Sequence, residues 1–324
     1  MGHKSKLDKK DKQILFELDL NAKIPLTQLA KKINLSPQTT KYRIQQLEKK
    51  GIIRGYVTFF DVSKFGYLYY RLYIRYENVS LEDEKKIIEY FKKHSNVVWF
   101  ISTSGRYDLE VLFTARNFIH FDAMLKKIYK RFPGKLHNNV TSVSIKNYHH
   151  LRGYLLNKKT ELQLSIGGEP VFEKIDKIDE KIIKIINQNA KLTNAEIGNK
   201  LNLNYKTIQN RIKKIEEKGI IQAYRTWIDY QKIGSTYYKA LITLRKFSDE
   251  EEKKILEFAK QHPNIIYIIT CVWPWDIEIE VECEKHETFL DILKEFREKM
   301  GNLIVDYESL TVTKEHKLNY YPVI

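Results

Sequence analysis

Displaced by 168 residues, this chain of 324 residues matches itself without a gap over roughly its first 110 positions. Leu7-Asp8-Lys9-Lys10-Asp11 meets Ile175-Asp176-Lys177-Ile178-Asp179, Asn21-Ala22-Lys23 meets Asn189-Ala190-Lys191, and Arg43-Ile44 meets Arg211-Ile212. Glu48 to Ile53 meets Glu216 to Ile221, Tyr56, Asp61 and Gly66 meet Tyr224, Asp229 and Gly234, and Asp108 meets Asp276. Towards the end of each unit the offset becomes 167, so His149 meets His316 and Leu151 meets Leu318. A period this long is a duplicated protein, not a solenoid. Whatever one unit folds into, the chain contains twice.

Each unit splits by periodicity. Residues 1–62 and 173–230 are helical first. In unit 1, Ile14, Leu15 and Leu18 form one apolar stripe and Leu26, Leu29, Ala30 and Ile33 a second. Asn34-Leu35-Ser36-Pro37 breaks the chain, with Ser36 a good N-cap and Pro37 suited to the first helical position. The next helix turns Thr40, Ile44 and Leu47 inward, Gly51 ends it, and 52–60 reads as extended. Residues 63–152 and 231–324 then change to period two. From Tyr67 to Tyr76, Leu68, Tyr70, Leu72 and Ile74 alternate with Tyr69, Arg71, Tyr73 and Arg75. The order that follows, helix, two strands, helix, strand, is the ferredoxin-like βαββαβ unit. The fold class expected is therefore α+β: two tandem copies of a winged helix-turn-helix followed by a ferredoxin-like domain. Residues 153–172, with Ile166-Gly167-Gly168-Glu169-Pro170, read as the linker and hinge between copies.

Composition narrows the function. No run of about 18 uncharged apolar residues occurs, so no membrane helix is readable. Met1-Gly2-His3-Lys4-Ser5-Lys6 runs into charge with no apolar segment behind it, unlike a secretory leader. Two cysteines, Cys271 and Cys283, exclude a disulfide framework and a four-cysteine zinc site and suit a reducing cytoplasm. His149, His150 and His316 have no metal-site spacing and read as solvated, so no metal or cofactor is expected. The net charge of +15 is concentrated. Residues 1–60 carry 13 Lys+Arg against 5 Asp+Glu, and 169–228 carry 12 against 8. A thermophile's Lys-rich background would spread the excess. Here most of it sits on the helical modules, which points to a polyanion held by them.

In a helix-turn-helix the second helix enters the major groove. Its outward residues are Gln38, Thr39, Lys41, Tyr42, Arg43, Gln45 and Gln46 in unit 1. In unit 2 they are Tyr205, Lys206, Thr207, Gln209, Asn210, Arg211, Lys213 and Lys214. Gln, Asn and Arg pair with base edges, while Lys, Thr and Tyr mostly hold phosphates. Ser36 and Asn204 cap these helices and place their starts near a phosphate. The two outward faces differ, so the units need not read the same half-site.

Leu7-Asp8, Asp11, Ile14-Leu15, Ser36-Pro37, Arg43-Ile44, Leu47-Glu48, Gly51-Ile52-Ile53, Gly55-Tyr56 and Ser104-Gly105-Arg106-Tyr107-Asp108 together carry a resemblance. Each unit is similar to a whole member of the Lrp/AsnC family, the leucine-responsive or feast/famine regulators. The resemblance implies a sequence-specific transcription regulator whose helical domain binds double-stranded DNA. It also implies a βαββαβ domain that dimerises and holds an amino acid or other small effector at Gly105, Arg106, Tyr107 and Asp108. Trp273-Pro274-Trp275 replaces three of these in unit 2, where interface packing by the indoles is the expectation. Two pairings are open: an intramolecular pseudo-dimer, or unit-to-unit pairing between chains in a homo-oligomer. Two other functions are also open. One is an enzyme like the sirohaem decarboxylases, which combine the same two domain types. The other is an effector-binding assembly protein that does not use DNA.

Overall fold

The computed structural model describes residues 7–321; the charged start Met1–Lys6 lies outside them. The helical module of unit 1 comprises α1 (Lys9–Leu20), α2 (Leu26–Lys32) and α3 (Pro37–Lys49), followed by β1 (Ile53–Phe60). Then come β2 (Leu68–Tyr76), α4 (Leu81–Lys93), β3 (Val97–Ser104), β4 (Leu109–Ala115), α5 (Phe118–Arg131) and β5 (Leu136–His150). The stretch read as a hinge carries a strand of its own, β6 (Leu162–Gly167), which pairs with the end of β5. Unit 2 repeats the series: α6 (Lys177–Gln188), α7 (Asn194–Leu201), α8 (Tyr205–Glu217) and β7 (Ile221–Ile228), then β8 (Thr236–Leu244), α9 (Asp249–Gln261), β9 (Ile265–Val272), β10 (Ile277–Cys283), α10 (His286–Met300) and β11 (Ile304–Leu318). Among the described residues no helix is long and apolar enough to cross a membrane.

Local chemistry sets the helix ends alike in both units. Asp8 and Asp176 cap α1 and α6, and Ser36 and Asn204 cap α3 and α8 by accepting from Thr39 and Thr207 N–H. Between the two helices of each motif, Asn34 and Asn202 take left-handed backbone, which asparagine tolerates better than most residues. Gly51 and Gly219, at φ +65° and +68°, turn the chain out of α3 and α8.

Within each unit the four strands order as β5-β2-β4-β3 and β11-β8-β10-β9, the ferredoxin-like arrangement. The edges then meet across units: β3 pairs with β11 and β9 with β5, both antiparallel. Eight strands thus close on themselves, with α4, α5, α9 and α10 outside. Tyr70, Leu72 and Ile74 face those helices, as the alternation predicts. The other face, with Tyr69, Arg71 and Tyr73, is equally buried, because it lines the interior of the closed sheet.

The helical modules are exchanged rather than parallel. A wing expected inside each unit is instead one strand from each: β1 pairs with β7, Tyr56 opposite Thr226. Ala22 N–H donates to Tyr224 O at 2.8 Å, and Ala190 N–H to Tyr56 O at 3.4 Å. Lys23 sits over the Tyr224 ring and Lys191 over the Tyr56 ring, each 4.0 Å from the centroid. Ile228 packs in the core of module 1, while Phe59 and Phe60 pack with the helices of module 2. Of the two open pairings, this chain shows the intramolecular pseudo-dimer.

Candidate nucleic-acid interface and the buried interior

Three core residues in each recognition helix (Thr40, Ile44, Leu47; Ile208, Ile212, Ile215) fix which face looks outward. That face exposes Gln38, Thr39, Lys41, Tyr42 and Gln45 on α3, with Gln46 half-buried. On α8 it exposes Tyr205, Lys206, Gln209, Asn210, Lys213 and Lys214, with Thr207 half-buried. Tyr42 is 61% exposed and Tyr205 53%, unusual for rings with no structural duty. Ser36 and Asn204 spend their side chains on the caps.

Arg43 and Arg211 are held by carboxylates of their own modules. Arg43 Nη1 donates to Asp8 Oδ2 at 2.7 Å and Asp11 Oδ1 at 2.8 Å. Arg211 makes the same pair with Asp176 and Asp179, both at 2.7 Å. Bonds to these carboxylates raise the pKa of both arginines. They staple the recognition helix to the first helix of its module, with the positive charge already matched. Arg43→Ala is therefore expected to cost about 0.5–1 kcal/mol of stability, as partly exposed pairs do. The salt dependence of DNA binding should stay unchanged, as paired titrations of variant and wild type would show.

The turn read as an effector site is held by its own side chains and neighbours. Asp108 Oδ2 accepts from Tyr76 N–H at 2.8 Å, and Asp276 accepts from Leu244 N–H at 2.7 Å in the equivalent place. Tyr107 is buried, its ring 5.2 Å from that of Tyr73. Arg106 reaches Glu308 at 3.3 Å. Gly105, at φ +136°, lies where a Cβ would come within 2.9 Å of Leu310. Its lack of a side chain makes room for the close approach of β11. In unit 2, Trp275 packs between the units, edge-on to Tyr73 at 4.8 Å, while Trp273 is 75% exposed.

The interior holds what the sequence reading missed. Lys239, fully buried, contacts Glu110 through both oxygens at 2.6 Å, Glu278 at 2.8 Å and Glu280 at 3.1 Å. Arg71 bonds Glu110 at 2.7 Å, with Ser144 and Asn147 taking its other nitrogens. Burial works to raise the Glu278 pKa, but Lys239 and Arg71 outweigh it and hold that carboxyl ionised; at Glu110 burial wins and the pKa rises. The clue was in β10: glutamates at 278, 280 and 282 alternate with apolar residues, period two with carboxylates on the supposed solvent face. A second bridge runs from α1 to β10. Arg152 bonds buried Asp19 at 2.9 Å and Glu282 at 2.8 and 2.9 Å.

Between the β1–β7 ribbon and the mouth of the closed sheet lies a chamber lined by Arg71, Trp99, His149, Arg225, Trp227 and Tyr237 among others. Its free volume is about 30 Å³, room for a water or two. The histidines expected at the surface are not there. His149 and His150 are 2% and 1% exposed, His149 edge-on to Phe59 and Tyr267, and His316 stacks on Phe100. Burial pushes His150 and His316 down to about 4 and His149 well below its ordinary value. Cys271 and Cys283 are buried and free in β9 and β10.

The winged helix-turn-helix DNA-binding family matches residues 7–54 and again 175–222, the same 168-residue offset. An HTH-type transcriptional regulator of Pyrococcus horikoshii is 30% identical over 127 residues, 39% of this chain and 82% of the relative. LrpB of Bacillus subtilis, also an HTH-type transcriptional regulator, is 41% identical over 63 residues, 19% of this chain and 42% of that one. The chain belongs to the Lrp/AsnC family of transcription regulators. Each of these relatives matches less than half of the chain. A likeness spanning the whole chain comes from the siroheme decarboxylase NirDL, whose structure covers 97% of this chain and 94% of its own at a TM-score of 0.60. At 11% identity that likeness is one of fold.

Proposed function

We propose that this Lrp/AsnC chain acts as a DNA-binding transcription regulator in the cytoplasm, one chain supplying both reading heads. The observation that carries it is the pairing of two exposed recognition helices, each bearing amides and ammonium groups, on modules that hold most of the +15 net charge. Its partner is double-stranded DNA, met by α3 and α8 together. Titration with sheared genomic DNA across a salt series tests this. Affinity is expected to fall steeply as salt rises, as counterion release requires, and folded protein that binds no DNA at low salt would defeat the reading.

A second reading, catalysis on a tetrapyrrole, has the NirDL fold in its favour. The interior chamber itself, about 30 Å³ between packed rings and paired charges, has no room for a macrocycle. Visible absorbance of the purified protein, and its response to added iron porphyrin, separates the two. Neither is expected to show a stoichiometric complex.

A further inference from the structure

Resting on the DNA reading above, we propose that one chain reads a non-palindromic site, α3 on one half and α8, with different base preferences, on the other. The internal duplication supplies its own control. At the 168-residue offset, α3 and α8 keep the residues that hold the helix in place. Core Ile44 and Leu47 correspond to Ile212 and Ile215, and the staple Arg43 to Arg211. Glu48, which accepts from Tyr56 OH, corresponds to Glu216, which accepts from Tyr224 OH. On the outward face the chemistry is exchanged instead. Gln38 stands against Lys206, Lys41 against Gln209, Tyr42 against Asn210 and Gln45 against Lys213. Only Thr39 and Thr207 agree, and both donate backbone N–H to the cap. Where α3 offers an amide, α8 offers an ammonium, and the reverse. Amides suit adenine and ammonium groups suit guanine or phosphate, so two such faces do not share one half-site.

The pairing that presents these faces is not self-complementary either. Arg152, Asp19 and Glu282 form a buried bridge, while Asn187 and Thr114 stand in the other half where Asp19 and Glu282 do, and residues 319–324, which follow β11 as Arg152 follows β5, hold no Lys or Arg. Two copies of unit 2 would leave Glu282 a buried carboxylate with no arginine from the segment that follows β11. Two copies of unit 1 would set Arg152 beside Thr114 and leave it Asp19 alone of its two carboxylates. Both arrangements give up charge pairing inside the protein, which disfavours like-with-like assembly. The unlike pair is the one the fold selects, and the DNA it meets has unlike halves.

Selection of binding sites from random duplexes by the full chain tests this, with the mass of the selected complex measured alongside. The expected motif has two halves that are not inverted copies, their centres about one helical turn or a multiple apart, bound by one chain. A variant carrying Gln38→Lys, Lys41→Gln, Tyr42→Asn and Gln45→Lys, all at exposed positions, should select an inverted repeat of the α8 half. A palindromic wild-type motif, an unchanged motif for the variant, or two chains per site overturns the inference. So does salt-dependent binding to genomic DNA with no enriched motif, which leaves DNA binding itself standing. Absence of binding to any DNA removes both.

Discussion

Lys239→Met is expected to destabilise the fold by about 3–5 kcal/mol, the scale for removing one partner from a buried ionic network. Methionine fills nearly the same volume, so the loss is electrostatic rather than a cavity. In the native interior two cations, Arg71 and Lys239, stand against the three carboxyls Glu110, Glu278 and Glu280. Without Lys239 only Arg71 remains, and its distances to Glu278 and Glu280 are already 3.5 and 3.7 Å. Adding Glu110→Gln to Lys239→Met should recover a large part of the loss, since it removes the carboxyl that Lys239 holds most closely. Chemical unfolding of the three proteins measures this. A cost under about 1 kcal/mol for Lys239→Met would mean the cluster is hydrated and contributes little.

Lowering the pH from 7 to 5 is expected to cost about 5 kcal/mol, spread over His94, His149, His150 and His316. Burial depresses all four folded pKa values, to about 4 for His94, His150 and His316 and further for His149. Between those values and the ordinary 6.5, the unfolded chain binds more protons than the folded one. Stability is therefore full above about pH 6.5 and is lost as the pH falls towards 4. Each histidine contributes at most about 1.4 kcal/mol per pH unit. Glu110 and Glu315, whose pKa values burial raises, act in the opposite direction and offset part of the loss. Urea midpoints from pH 8 to 5 test the slope, and His150→Gln should remove about a quarter of it. A flat profile over that range would show that these histidines are not buried neutral.

The architecture was legible because duplication and periodicity are local signals. The offset of 168, the Ser36-Pro37 start, the Gly51 stop and the βαββαβ order all lie within short windows. What escaped depends on which faces meet across units. Arg71 alternates with Leu72 just as a solvent-facing residue would; only closure of the sheet by β3–β11 and β9–β5 turns that face inward. His149 and His150 looked solvated for a related reason, since Tyr267 of β9 and Arg225 of β7 reach them from the other half of the chain, with Phe59 of their own half closing on the His149 ring. Arg43 shows a subtler limit. Its place off the core stripe was read correctly, but its partners Asp8 and Asp11 lie more than thirty residues earlier. The repeat of the same trio as Asp176, Asp179 and Arg211 was the available hint that this arginine serves the fold.

Both recognition helices of one chain are expected to engage DNA at once. The most direct measurement is the salt dependence of binding for wild type beside two variants, Lys41→Ala with Gln45→Ala in α3, and Lys206→Ala with Lys213→Ala in α8. All four positions are exposed, so circular dichroism should show both variants folded. Both are expected to bind more weakly. The log–log salt slope should shrink by up to about 0.9 for each phosphate that a removed lysine had neutralised, hence more in the α8 variant. Unchanged affinity and slope in either folded variant would contradict the account, because the helix concerned would then not be touching DNA.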